Sequence, residues 1–243
     1  MVYGNFLINM NITYFEILNN IYECQNESNR YTYQGISLTK LKLEKINDII
    51  SNLDASTKQI KDADLENAIL TSDFELLDVI PADSSSKTSD IMLDEMKGNK
   101  NRLKQVIKQL AGEYDFLFID CPPGFSALSE NIFNASDIVL MPVIPSTLSI
   151  RTYHMVKDYF KEKDLDISKM MCFFTMTDLR KTMHNDIMAE LYKDKRFFQN
   201  YIPYLSDVEK MGVHKAPIME FANSSYAAKC YRELWTEIKE GVL

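Results

Sequence analysis

"EYDFLFIDCPPGFSALSENIF" (residues 113–133) sets an apolar run, one acid, two prolines and a helix start in close succession. The run Phe116-Leu117-Phe118-Ile119 is apolar without alternation, the pattern of a strand covered on both faces in a parallel sheet. Pro122 and Pro123 have no N–H to donate to a ladder, so the strand must stop before them. Asp120 is thereby predicted at the carboxyl edge of the sheet, where open α/β sheets place their ligands. By spacing alone, Asp120 either serves a ligand there or caps the turn after Pro123.

Outward from that strand, strands and helices alternate. Leu76–Ile80 reads as a short strand and Ile91–Leu110 as helical stretches. Ser126–Asn134 reads as a helix, Ile138–Val143 as a strand and Thr147–Lys163 as a long helix. Met170–Thr175 is a further apolar strand, Thr182–Lys193 a helix, and Asn223–Glu240 a closing helix with Leu234 and Trp235 toward the core. Residues 81–89 ("PADSSSKTS") form a polar loop. The first 70 residues differ: polar, Asn-rich, with helical candidates near 12–24 and 38–54. This order predicts an α/β fold, a mostly parallel sheet with helices on both faces. The chain is read as one domain, 1–243, with a divergent N-terminal part (1–72) and a regular remainder (73–243).

Composition narrows the function classes. Hydrophobic residues are 46% and charged residues 26% of 243, an ordinary globular balance. No apolar run reaches the length of a membrane span, so no membrane association is expected. The four cysteines, Cys24, Cys121, Cys172 and Cys230, have no metal or disulfide spacing, and a reducing cytoplasm is the simplest setting. A net charge of −8 argues against strong non-specific DNA binding by the whole chain. His154, His184 and His214 lack mutual metal spacing and read as surface or helix residues. Ser126 and Ser129 follow Asp120, but no histidine is placed to activate them as nucleophiles.

Four stretches together resemble the ParA/MinD-type partition ATPases, a P-loop NTPase family. They are "YDFLFIDCPPGFSALSENIFNASDIVLMPVIPSTLSIRTYHMV" (114–156), "LDVIPAD" (77–83), "CFFTMTDLRKTMH" (172–184) and "IPYLSDVEKMGVHKAPIMEFANSSYAAKCYREL" (202–234). They occur in the family's order over roughly residues 74–240. The resemblance implies that Asp120 is the Walker B acid, holding Mg²⁺ through water. It implies further that Pro142, Val143 and Pro145 form the loop after the next strand, and that Thr175, Met176 and Asp178 form the turn near the nucleotide base. ATP and magnesium are the implied cofactors. A homodimer and a ParB-like protein are the implied partners, in chromosome or plasmid partition.

One family feature is missing. No Gly followed by Lys and then Ser or Thr occurs anywhere in the sequence, and the seven glycines are not clustered. A phosphate loop works by surrounding phosphates with consecutive backbone N–H groups and a lysine at a helix start. Without it, nothing in the sequence neutralises a triphosphate. "FLINMNITYF" (6–15) resembles the family's second strand and following turn, which sets Asn9 and Asn11 near the family's catalytic aspartates. Either Val2–Met10 substitutes for the phosphate-loop strand, or the chain is the remnant of a longer product. Two functions follow as expectations. One is a truncated or degenerate partition ATPase homologue with impaired nucleotide binding and no hydrolysis of its own. The other is a non-catalytic interaction and dimerisation module.

The family's DNA-binding arginines also lack counterparts. Tyr204, Asp207 and Glu209, then Asn223, Ser224, Ser225 and Tyr226, stand at those places. Arg180, Lys181, Lys210, Lys215 and Lys229 are the basic residues left to form a DNA patch; the alternative is a solvated face of mixed charge. Weak, non-specific DNA binding at most is expected.

Overall fold

The computed structural model describes residues 5–9, 69–72, 77–80, 99–110, 113–121, 124–214 and 216–242. The helical candidates near 12–24 and 38–54, the loop 81–89, Asn11, Pro122, Pro123 and Lys215 lie outside them. The chain separates into two compact units.

One unit takes its described residues from 69–115 and 124–135. In it Leu70–Thr71 (β2) and Asp78–Val79 (β3) form an antiparallel pair, Leu70 opposite Val79 and Thr71 opposite Asp78. This corrects the expectation that Leu76–Ile80 belongs to the parallel series. So short a connection permits only antiparallel pairing, because a parallel crossover needs roughly a dozen residues or more. Arg102–Ile107 (α1) follows a 3-10 turn at Asn99–Asn101. The buried Asn131 of the helix Ala127–Ala135 (α2) accepts the Arg102 N–H at 3.1 Å, satisfying one orphan donor of α1. Gly124 turns the chain at φ 121°, a conformation side chains disfavour, and Ser126 caps α2 by accepting the Ser129 N–H at 3.3 Å. Ser126 and Ser129 thus serve the helix start.

Among the described residues, the other unit is built on a four-stranded parallel sheet. Its strands are Asn5–Asn9 (β1), Phe116–Asp120 (β4), Ile138–Val143 (β5) and Met170–Phe174 (β6), in the order β4-β1-β5-β6. β1 pairs with β4 from Asn5↔Phe116 to Asn9↔Asp120 and with β5 from Leu7↔Ile138 to Asn9↔Leu140. A strand therefore does stand beside the Asp120 strand, within the stretch Val2–Met10. Pro142 falls two residues past the last β1 pairing, where β5 needs no N–H on that side.

Helices cover both faces of this sheet, as period-two strands buried on both sides require. On one face Phe116, Phe118, Ile138, Leu140, Met171 and Phe173 pack with Cys230, Leu234, Trp235 and Ile238 of the closing helix Tyr226–Val242 (α7). The Phe116 and Trp235 rings meet edge to face at 5.1 Å. On the other, Phe174 stacks on Phe197, which in turn meets Tyr153 of the helix Thr147–Glu162 (α3). The Tyr153 hydroxyl donates to Asp194 at 2.7 Å, tying α3 to the segment that follows the helix Thr182–Leu191 (α4).

The stretch 194–222, for which the sequence offered no helix, contains two among its described residues: Ser206–His214 (α5) and Ile218–Phe221 (α6). They bury Met211 and Ile218 against Ala227 and Ala228. α7 begins at Tyr226 rather than Asn223, because Ser225 Oγ accepts the Ala228 N–H and sets the cap there, while Arg232 holds Asn223 in the turn before it.

Candidate functional site

Parallel strands bring their carboxyl ends to one edge, and the predicted site residues fall along it. Asp120 is the last residue of β4 and stands level with Asn9 of β1. Pro142 and Val143 end β5, and Pro145 follows them; all three are buried. Thr175, Met176 and Asp178 follow β6, and the Thr175 N–H donates to Val143 O at 3.0 Å. Three inter-strand spacings of roughly 4.8 Å separate β4 from β6, so one ion cannot touch both ends of this edge. Only an elongated ligand could.

At the β4 end, Asp120 is open to solvent on one side, and no described side chain pairs with its carboxylate. Burial of its protein-facing side pushes the carboxyl above the usual aspartate range. Cys121, next in the chain, is buried and in no disulfide, and the thiol of the buried Cys172 is pushed strongly up by burial. Both behave as small apolar residues, as their positions in apolar runs predict. Among the described residues no three His, Cys, Asp or Glu side chains gather into a metal cluster.

The β6 end is built differently. Thr175 and Thr177 are buried, and Thr177 is fixed by donating its N–H to Ile202 O at 3.2 Å and accepting the Tyr204 N–H at 2.8 Å. Between these anchors Met176 adopts φ 51°, a left-handed conformation uncommon outside glycine, and turns its side chain outward. Asp178 Oδ1 accepts from Arg180 N (3.1 Å) and Nε (2.8 Å), and Oδ2 from Arg180 Nη2 (2.9 Å). The Arg180 hydrogen bonds hold the Asp178 carboxyl down at about 2. The Asp178 N–H in turn donates to Nδ1 of His184 at 3.1 Å.

His184 is the residue that the sequence concealed. It lies on a helix, as expected, but it is only 5% exposed, whereas His154 and His214 face solvent. A histidine two residues into a helix carries no mark of burial. The one available signal was its place six residues after Asp178, in a loop short enough to fold back on α4.

The sequence profile of an AAA domain family matches residues 12–169, well over half of the chain. The chain belongs to the ParA/MinD-type partition ATPase family. It is 28% identical over 184 residues to a ParA family protein of Mycoplasma genitalium, a match covering 72% of this chain and 66% of that protein. It is 27% identical over 186 residues to the sporulation initiation inhibitor protein Soj of Bacillus subtilis, covering 74% and 73%. The chain thus spans about two thirds of the length of its Mycoplasma relatives. In fold it is similar to a plasmid partition protein of Borrelia burgdorferi bound to AMPPNP, with a TM-score of 0.71 at 19% identity over 99% of this chain and 88% of that one. The cell division ATPase MinD of Pyrococcus furiosus is a more distant likeness, with a TM-score of 0.53 at 18% identity over 79% and 75%.

Within this ParA-like frame three of the five candidate basic residues are already engaged, while Lys181 stands exposed just before α4 and Lys215 lies outside the described residues. Arg180 is bound to Asp178, Lys210 reaches Asp207 at 3.1 Å, and Lys229 reaches Glu233 at 3.5 Å. They sit on three separate segments: the loop after β6, α5 and α7. Among the described residues no helix is long and apolar enough to cross a membrane.

Proposed function

We propose that this chain is a ParA-like partition protein whose ligand edge runs from Asp120 to Asp178, with magnesium at one end and a nucleotide base at the other. The observation that carries the proposal is the Asp120 carboxylate, which stands at the carboxyl edge of a parallel sheet and is claimed by no described side chain. Mg²⁺ keeps several waters and needs only one or two carboxylates beside phosphate oxygens, a role that one such aspartate suits. Pro142, Val143, Pro145, Thr175, Met176 and Asp178 would shape the base end. The phosphates are less well served, because the sequence has no Gly-Lys-Ser/Thr loop to neutralise them. Nucleotide binding by this chain is therefore weak, and no hydrolysis step is assigned to it. ParA-like dimerisation, a ParB-like partner and a cytoplasmic setting belong to the same proposal.

Thermal melting with and without Mg-ATP tests this directly. Ligand at a hundredfold over its Kd stabilises by about 2.7 kcal/mol, and Asp120→Ala should remove the magnesium-dependent part of any shift. Phosphate release should stay at background. Turnover abolished by Asp120→Ala would overturn the non-hydrolysing assignment. The missing Gly-Lys-Ser/Thr favours a second reading, a non-catalytic dimerisation module, and a melting curve indifferent to Mg-ATP would select it.

DNA binding is proposed to be weak and salt-sensitive, with Kd no tighter than the ~10⁻⁴–10⁻⁶ M of non-specific contacts. What supports this is the carboxylate beside Arg180, Lys210 and Lys229 and the net charge of −8. Anisotropy of a labelled duplex across a salt series decides it. Nanomolar binding unaffected by charge reversal at Arg180, Lys181, Lys210, Lys215 and Lys229 would sink the claim.

A further inference from the structure

The loop after β6 is held at its start by the sheet and at its end by α4. Thr175 and Thr177 bond to Val143 and Ile202, as described above. Beyond them the loop folds back onto the first turn of α4. The Lys181 N–H donates to Asp178 O at 3.0 Å, and Asn185 Nδ2 donates to Leu179 O at 2.9 Å. A further tie is the 3.1 Å bond from the Asp178 N–H to His184 Nδ1. It differs from the others because its acceptor can be abolished by one proton.

We propose that His184 is the positioning residue of the Thr175–Asp178 loop: its neutral ring accepts the Asp178 amide and keeps the loop shaped for a ligand, and protonation of the ring releases it. An imidazole accepting at Nδ1 carries its proton on Nε2, whereas an imidazolium has no acceptor at all. Protonation would set an N–H against the Asp178 N–H at a residue only 5% exposed, leaving both donors unmatched. The strained conformation of Met176, two residues upstream, persists only while the surrounding bonds hold it.

The charges acting on the ring come from both segments around it. Lys181, at the start of α4, disfavours the imidazolium, while Asp178, from the loop, favours it. Arg180 is bound to that same carboxylate. Burial is the largest influence and acts with Lys181, so the ring titrates below the usual histidine range. The tie is then complete at neutral pH and is lost as the pH falls through that lowered value.

The ligand-directed half of this inference rests on the proposed function, whereas the tie itself does not, and the test separates them. Amide exchange in the full-length, ¹⁵N-labelled chain compares protection at Asp178 with that at Thr177, whose bond to Ile202 cannot titrate. From pH 7.5 to a pH below the lowered His184 value, Asp178 protection should fall about three- to tenfold relative to Thr177, the factor expected for one hydrogen bond. His184→Ala should show low Asp178 protection at both pH values. His184→Asn, which keeps an acceptor that cannot titrate, should stay protected at both. Equal protection in His184→Ala and the unmodified protein would overturn the tie, as would an unchanged pH drop in His184→Asn.

The second arm measures binding of methylanthraniloyl-ATP with Mg²⁺ across the same variants and pH values. Affinity following the exchange pattern supports positioning. Affinity indifferent to His184→Ala overturns it. No binding anywhere, with the exchange pattern intact, refutes the nucleotide reading and leaves the tie standing.

Discussion

Two aspartates follow two parallel strands of one sheet, and the protein treats them in opposite ways. Asp178 is answered locally: three donors from Arg180 surround its carboxylate and hold its pKa at about 2. Asp120 has no described side-chain partner, and burial makes its charge harder to keep. The first is spent on shaping a loop. The second has no such local answer among the described residues. Position at the carboxyl edge is common to both; what differs is the partners that the described residues supply.

The comparison breaks most readily at Asp178. Asp178→Asn keeps the shape but removes the charge that Arg180 answers, and should lower Tm by a few degrees at neutral pH. Because the folded pKa is depressed, this stabilisation is full above the ordinary aspartate value of about 4. It should disappear as pH falls through about 2, so the two melting curves converge in acid. A gap that persists at low pH would mean that the loop depends on shape alone.

At Asp120 the sign reverses. Its raised pKa means that ionisation burdens the folded state, a penalty absent below the ordinary aspartate range and fully developed above the raised value. Asp120→Asn should therefore raise Tm slightly, by about one to two degrees at neutral pH given its solvent access, and not at all in acid. Calorimetry across pH 3–8 reads this, and added Mg²⁺ should narrow the gap by stabilising only the unmodified protein. A destabilised Asp120→Asn would show that the carboxylate has a structural partner after all.

The sheet was legible in the sequence because its signals are local. Phe116–Asp120 and Ile138–Val143 have the bounds that apolar runs and prolines predict, and Met170–Phe174 falls one residue short of expectation. Asp120 was legible for the same reason. The turn around Asp178 was placed only by family resemblance, and its inner chemistry was not foreseen. Whether Arg180 folds back on Asp178, or His184 faces inward, depends on how α4 docks, which no run of residues encodes. α5 and α6 escaped because they are short, separated by Pro217, and stabilised by packing Met211 and Ile218 on α7 rather than by their own periodicity.

The placement of β1 has a consequence for how the chain comes to be folded. Of the described strands of the sheet this one comes first in the sequence, yet it lies between two strands that follow it by more than a hundred residues. Closing loops of that size is slow, and contacts so distant in sequence put the sheet among the late-forming topologies. At about 5–20 residues per second, Asn5–Asn9 would wait on the order of ten seconds before both partners exist. Through that interval β1 would present unpaired edges to the rest of the cell. Completion of the sheet, and with it the edge that carries Asp120, is thus an event that follows translation of most of the chain.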